Sequence, residues 1–169
     1  MFRLAFSLVF ASLLGTFSAM AGPLLPIKLE PMDHADAALV VVDPDGRESR
    51  YAPADLEQLP TFSLVTTTPW RDEAAEFQGV LLRDLLAANG LSEALSVVVV
   101  AENDYRTVIE REIWESVDIL VATRVDGKPH SRRARGPIQF VIDRDAFEAS
   151  SLTSESNLVW MAARIEAAN

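Results

Sequence analysis

No cysteine occurs anywhere in the 169 residues, so side-chain packing and hydrogen bonds alone must hold this chain, without a disulfide staple or a thiolate-bound metal. That excludes the small stapled scaffolds and cysteine-nucleophile chemistry, and it demands enough chain to bury a substantial core. The first residues bear on how much chain remains. Arg3 precedes an uncharged, largely apolar run from Leu4 to Phe17, and Ala19-Met20-Ala21 supplies a small-x-small cleavage pattern. This is the layout of a secretory signal peptide over residues 1–21. The run is shorter than the roughly 20 residues of a membrane-spanning helix, so cleavage is expected, with no direct membrane insertion afterwards. The single arginine does not make the twin-arginine signal of folded export. Export of an unfolded chain is therefore expected, and any small ligand would be acquired outside the cytoplasm.

Residues 22–169 have the size of one ordinary domain. Residues 22–36 hold three prolines, Pro23, Pro26 and Pro31, and little periodicity. They are expected to form an N-terminal arm that lies over the domain or is partly disordered, with a single domain over 37–169. The chain carries 25 Asp and Glu against 15 Lys and Arg, a net charge of −10, which argues against general affinity for nucleic acid or anionic lipid.

Strand and helix signals alternate, predicting an α+β domain of largely antiparallel sheets with short helices. A β-branched run from Ala38 to Asp43, the turn Asp43-Pro44-Asp45-Gly46 and Arg47 to Tyr51 predict a hairpin. Pro53 opens a short helix that Pro60 stops. Thr61 to Thr68 reads as a strand entering a loop at Pro69-Trp70-Arg71. Leu81, Leu82, Leu85 and Leu86 form a helical stripe closed by Asn89-Gly90. Leu95 to Ala101, with four consecutive valines, predicts a buried strand. Asn103-Asp104 turns into a strand over Tyr105 to Ile109, and Glu112 to Ser116 fits a helical turn. Asp118 to Val125, Ile138 to Asp143 and Leu158 to Glu166 complete the strands, the last with Val159, Met161, Ala163 and Ile165 as its core face.

The segment Arg124, Lys128, His130, Arg132, Arg133 and Arg135 places five of the 15 Lys and Arg within a dozen positions of an acidic chain. Guanidinium groups pair bidentately with phosphate or carboxylate, so such a loop suits an anion. The alternative is a solvated loop whose arginines pair with neighbouring acids. Trp70 and Trp160 stand apart from the aliphatic pattern; either ring offers a plate for a planar heterocycle or covers a secondary apolar cluster. Trp114 reads as packing. His34 and His130 lie in no ligand-spaced motif and read as surface histidines. No nucleophile elbow or phosphate loop occurs, and the carboxylates are too dispersed to nominate an acid/base pair.

Three segments taken together resemble a known family. Thr66-Thr67-Thr68-Pro69-Trp70 with Phe77-Gln78-Gly79-Val80-Leu81-Leu82-Arg83-Asp84-Leu85-Leu86, then Asn103-Asp104-Tyr105, then Leu120 to Pro129 with Ser131, Arg133, Gly136 and Pro137, are similar to the small periplasmic members of the sulfite-oxidase-type molybdopterin-binding domain. Val159-Trp160 and Arg164-Ile165-Glu166 extend the similarity over residues 61–166. Two positions depart from the family pattern: Ala134, where an acidic residue is frequent, and Gln139, where an aromatic is.

In the large enzymes of that fold a cysteine thiolate ligates molybdenum, and this chain has none. The resemblance implies instead a pterin-binding periplasmic regulator of a transmembrane cyclic-di-GMP enzyme, with a reduced or molybdopterin-derived pterin held without molybdenum. On that reading Trp70 and Trp160 stack on the bicycle, Asn103 and Asp104 read its edge, and Tyr105 lines the wall. Arg124, Lys128, Arg133 and Arg135 take a phosphate or polar tail, with Thr68 and Ser131 in the flanking loops. The loops after Thr68, after Ala101 and after Gly127 are then expected to converge on one pocket. Two other readings stay open: a molybdopterin-dependent oxidoreductase with a non-cysteine metal ligand, and a ligand-free module whose basic loop meets an acidic partner.

Overall fold

The computed structural model describes residues 24–168; the signal segment expected at 1–21 lies outside them. No helix among the described residues is long and apolar enough to cross a membrane. The chain begins with β1 (Leu25–Ile27), β2 (Leu39–Val42), β3 (Glu48–Tyr51) and helix α1 (Pro53–Leu56). It continues with β4 (Thr61–Thr68), β5 (Arg71–Leu81), α2 (Leu82–Ala88), β6 (Ser96–Ala101), β7 (Arg106–Glu110) and α3 (Arg111–Ser116). The last part holds β8 (Ile119–Val125), β9 (Lys128–Pro129), β10 (Gln139–Ile142), α4 (Arg144–Ala149) and β11 (Ala162–Ala167). The protein is an α+β molecule of largely antiparallel sheets with a few short helices.

Local chemistry explains several boundaries. Pro53 occupies the first turn of α1, where its missing N–H costs no intrahelical bond, and the Asp55 carboxylate accepts from the Ala52 N–H at 2.8 Å. Helix α2 ends as the Asn89-Gly90 signal predicts. Gly90 adopts φ +71°, and the N–H groups of Gly90 and Leu91 reach back to the carbonyls of Ala87 and Leu86 at 3.2 and 2.9 Å. Such left-handed closures spend the orphan carbonyls of a helix end.

One sheet runs β1-β4-β5-β8-β10, with β9 hairpinned onto β8; the other runs β3-β2-β11-β6-β7. Every pairing is antiparallel except that of β11 with β2. The main core lies between the sheets and joins Leu39 and Val41 of β2, Val97 and Val99 of β6 and Ile165 of β11 to Val80, Val121 and Phe140 of the first sheet. Trp114 packs into it, 3% exposed. A smaller cluster of Leu64, Phe77, Leu120, Ala122 and Val141 covers the opposite face of the first sheet. Strand β8 is thus buried on both faces, which is why Ile119 to Ala122 is a continuous apolar run and not an alternating one.

Four expectations need correction. The N-terminal arm is built into the sheet: β1 pairs with β4, and the Thr61 hydroxyl donates to the Ile27 carbonyl at 2.7 Å. Strand β5, eleven residues long, begins at Arg71 where a loop was expected; its first half, rich in Asp, Glu and Ala, has low strand propensity and is held by pairing with β4. The C-terminal strand starts only at Ala162, because Met161 turns to φ +54° and the register with β6 shifts after Ala162. The core face is therefore Val159, Ala162 and Ile165, not the simple alternation through Met161 and Ala163. Finally, neither histidine is a surface residue: the His34 side chain is 5% exposed and His130 only 2%.

Candidate functional site

The β4–β5 turn carries Trp70 outward, 37% exposed. The segment after β9 folds as a short 3-10 turn over Arg132–Ala134, started by the Ser131 hydroxyl, which accepts from the Ala134 N–H at 3.3 Å. Arg135 ends that turn in the left-handed region at φ +77°, a conformation that costs an L-residue roughly 1–2 kcal/mol. Glycine would relieve the strain, yet arginine stands here and its side chain is engaged. Its guanidinium carbon lies 4.6 Å from the centroid of Trp70 and 5.0 Å from that of Trp160, so the flat cation sits against both indoles. Backbone bonds tie these pieces together: the Met161 N–H donates to the Arg135 carbonyl at 3.2 Å, and the Ala162 N–H donates to that of Ile138 at 3.0 Å.

Around this stack opens a cleft of about 730 Å³, within the size range of small-molecule sites. Thr68, Trp70, Arg133, Arg135 and Trp160 line it, together with Arg71, Arg132, Asp72 and Glu73. Four guanidinium groups and two carboxylates line it. Their pairing differs. Arg71 is bonded to Asp126 at 3.2 Å, and Arg132 grips Glu102 at 2.7 and 3.1 Å. Arg133 and Arg135 make no ion pair among the described residues. The two indoles also form the wall of a second recess of about 340 Å³, lined by Asn103, Tyr105 and Ser156.

Of the other expected site residues, Asn103 and Tyr105 line only this second recess, and Arg124, Lys128, Ser131 and Asp104 line neither. Arg124 is buried at 4% exposure and does not line the cleft. It donates to Glu57 through Nε at 2.9 Å and through a terminal nitrogen at 2.6 Å, and to the Glu30 carbonyl at 2.6 Å. The Thr123 hydroxyl donates to the same carboxylate at 2.6 Å, and His34 Nε2 lies 3.1 Å away without hydrogen-bond geometry. Opposite Gln78 and Gly79 the pairing of β8 skips Thr123, and such a bulge re-aims side chains; both Thr123 and Arg124 reach Glu57. Burial would raise the Glu57 pKa, but the bonds from Arg124 and Thr123 and the charge of His34 outweigh it and hold the carboxyl below its usual value. Lys128 is exposed on β9, and Ser131 spends its hydroxyl on the 3-10 turn. Asn103, Asp104 and Tyr105 form the β6–β7 turn, in which Asp104 takes φ +65° and the Asn103 side chain accepts from the Tyr105 N–H at 3.3 Å.

Sequence reasoning missed the cleft's buried wall. His130 and Gln139 line it beside Phe77, with His130 Nε2 2.7 Å from Gln139 Oε1. The imidazole meets the Phe77 ring edge-on at 6.3 Å. Burial, reinforced by the charge of Arg71, holds the His130 pKa below its ordinary value, although the bond to Gln139 pulls the other way. A signal existed in Gln139, the one polar residue heading an otherwise apolar strand. Gly136 fixes this wall: a Cβ there would lie 2.5 Å from the His130 carbonyl oxygen and 2.6 Å from its ring. Among known proteins, no family model matches this chain and no curated protein does.

Proposed function

We propose that this protein is an exported, periplasmic binding protein that takes a pterin-like planar heterocycle with an anionic or polar tail. One observation carries the reading: two indoles and two guanidinium groups without carboxylate partners among the described residues share a single cleft. Arg135 lies against both indoles at 4.6 and 5.0 Å, so a flat heterocycle would stack on Trp70 and Trp160 in place of its guanidinium. Arg133 then supplies the charge for a phosphate or carboxylate. The resemblance to the sulfite-oxidase-type domain narrows the heterocycle to a pterin and suggests the partner, the external domain of a membrane-bound cyclic-di-GMP enzyme.

A molybdenum centre does not fit this donor set. The chain has no thiolate to offer, and no group of three His, Cys, Asp or Glu side chains among the described residues is placed to hold a metal ion. An organic ring needs only stacking and hydrogen bonding, which require no metal.

Titrating the purified protein with tetrahydrobiopterin while following tryptophan fluorescence tests the proposal. Quenching is expected, and Trp70→Ala and Arg133→Ala should each weaken binding at least tenfold, the scale of one lost stack or one charge-assisted bond of ~1.5–3 kcal/mol. Absence of quenching in the wild-type protein refutes it.

A further inference from the structure

Arg135 combines a backbone suited to glycine with the side chain of a binding residue. Its main chain is pinned at φ +77°: the N–H donates to the Arg132 carbonyl and the carbonyl accepts from the Met161 N–H, both at 3.2 Å. Only the side chain is left to move. Glycine or asparagine adopts the left-handed region at least cost, and strained positions of this kind cluster at ligand clamps and switches. The guanidinium carbon lies 4.6 Å from the Trp70 centroid and 5.0 Å from the Trp160 centroid. Asp72 and Glu73 line the same cleft, yet among the described residues the cation pairs with neither and rests on the rings. Arg135 and Trp160 are half-buried and Trp70 is exposed, so a solute can reach all three.

We infer that Arg135 is an internal ligand that sets the selectivity of the cleft: its guanidinium occupies the ring position until a planar heterocycle displaces it, and an anionic substituent is selected because it gives the displaced cation a partner. This deepens the binding reading above and rests on it. A guanidinium is weakly hydrated and stacks well on aromatic faces, so every entering ring must offset its removal from two indoles. A neutral ring regains only its own stacking. A ring bearing a carboxylate or phosphate also gains a charge-assisted bond to the freed guanidinium, beside the one that Arg133 supplies.

The test compares 6-hydroxymethylpterin with pterin-6-carboxylate, the same bicycle without and with an anion, by calorimetric titration of the wild-type protein and Arg135→Gly at neutral pH. Glycine accepts the left-handed backbone and uncovers the indoles, so 6-hydroxymethylpterin is expected to bind the variant about fivefold more tightly than the wild type, the scale of one cation–π contact. Pterin-6-carboxylate loses a partner along with the competitor and should gain no more than about twofold, which narrows the wild-type preference for the anion. Arg135→Asn, also tolerant of that backbone and too short to cover both rings, should reproduce the pattern. A cleft merely loosened by the substitution would bind both compounds more weakly. If both variants bind 6-hydroxymethylpterin no better than the wild type does, while the wild type still binds pterin-6-carboxylate, the selectivity inference alone is overturned. No binding of either compound to any of the three proteins overturns it together with the reading it rests on.

Discussion

Replacing Arg124 by Met should destabilise this protein by about 3–5 kcal/mol, the usual cost of breaking a buried ion pair from one side. The structure sets that scale. The Arg124 side chain and the Glu57 side chain are both 5% exposed, and two of the four hydrogen bonds that Arg124 and Thr123 make here run between the arginine and the carboxylate. Methionine fills most of the volume but leaves Glu57 a buried anion with only the Thr123 hydroxyl bonded to it. Against a total stability on the order of 5–15 kcal/mol, the loss is readily measured as a lower urea midpoint at pH 7. Adding Glu57→Met removes the stranded charge, so the double variant should recover at least about 2 kcal/mol relative to the sum of the single changes. The same pair sets an acid limit. Because Glu57 titrates below 4.5 in the folded protein, its contribution is complete above the unfolded-state value and is lost as pH falls through the lowered one. The urea midpoint of the wild-type protein should therefore fall below about pH 4.5, the ordinary carboxyl range, and Glu57→Gln should show a shallower fall. An Arg124→Met variant within about 1 kcal/mol of wild type, a marginal effect on the usual mutational scale, would refute this account of the pair.

Three further outcomes follow from the packing. Gly79→Ala places a Cβ 2.1 Å from the Val121 carbonyl oxygen, so β5 and β8 must separate; soluble expression and the thermal midpoint should both drop. Arg135→Met keeps the stem but removes the cation that lies against both indoles, and should shift tryptophan emission while costing about 1–2 kcal/mol in urea unfolding; unchanged emission refutes the stack in solution. Arg135→Gly should relieve the left-handed strain at φ +77° while losing the same stack, so its stability should lie above that of Arg135→Met; a lower value refutes the strain.

Much of the fold was legible from residue pattern, because it depends on neighbours in sequence. The hairpin of β2 and β3, the leucine stripe of α2 with its Asn89-Gly90 end, and the valine run of β6 follow from turn chemistry and hydrophobic period. Strand β5 was not, since Arg71 to Glu76 is extended only because β4 offers it a partner. The site divides in the same way. The basic cluster and the two unusual tryptophans were visible as residue types, yet spacing could not separate Arg133 and Arg135, which face the cleft, from Arg124, which a bulge turns toward Glu57. His34 and His130 carry no local mark of burial at all.

Sequence by itself thus determined the α+β class, the cysteine-free packing and the residue types available for binding, since composition and short-range periodicity encode those. Tertiary structure alone decided which side chains meet: that Trp70 and Trp160, ninety positions apart, both lie against one guanidinium, and that buried His130 bonds Gln139 directly while its backbone and ring crowd a glycine with no room for a side chain. Long-range contacts of this kind arise from sheet register and close packing, which no local stretch of chain contains.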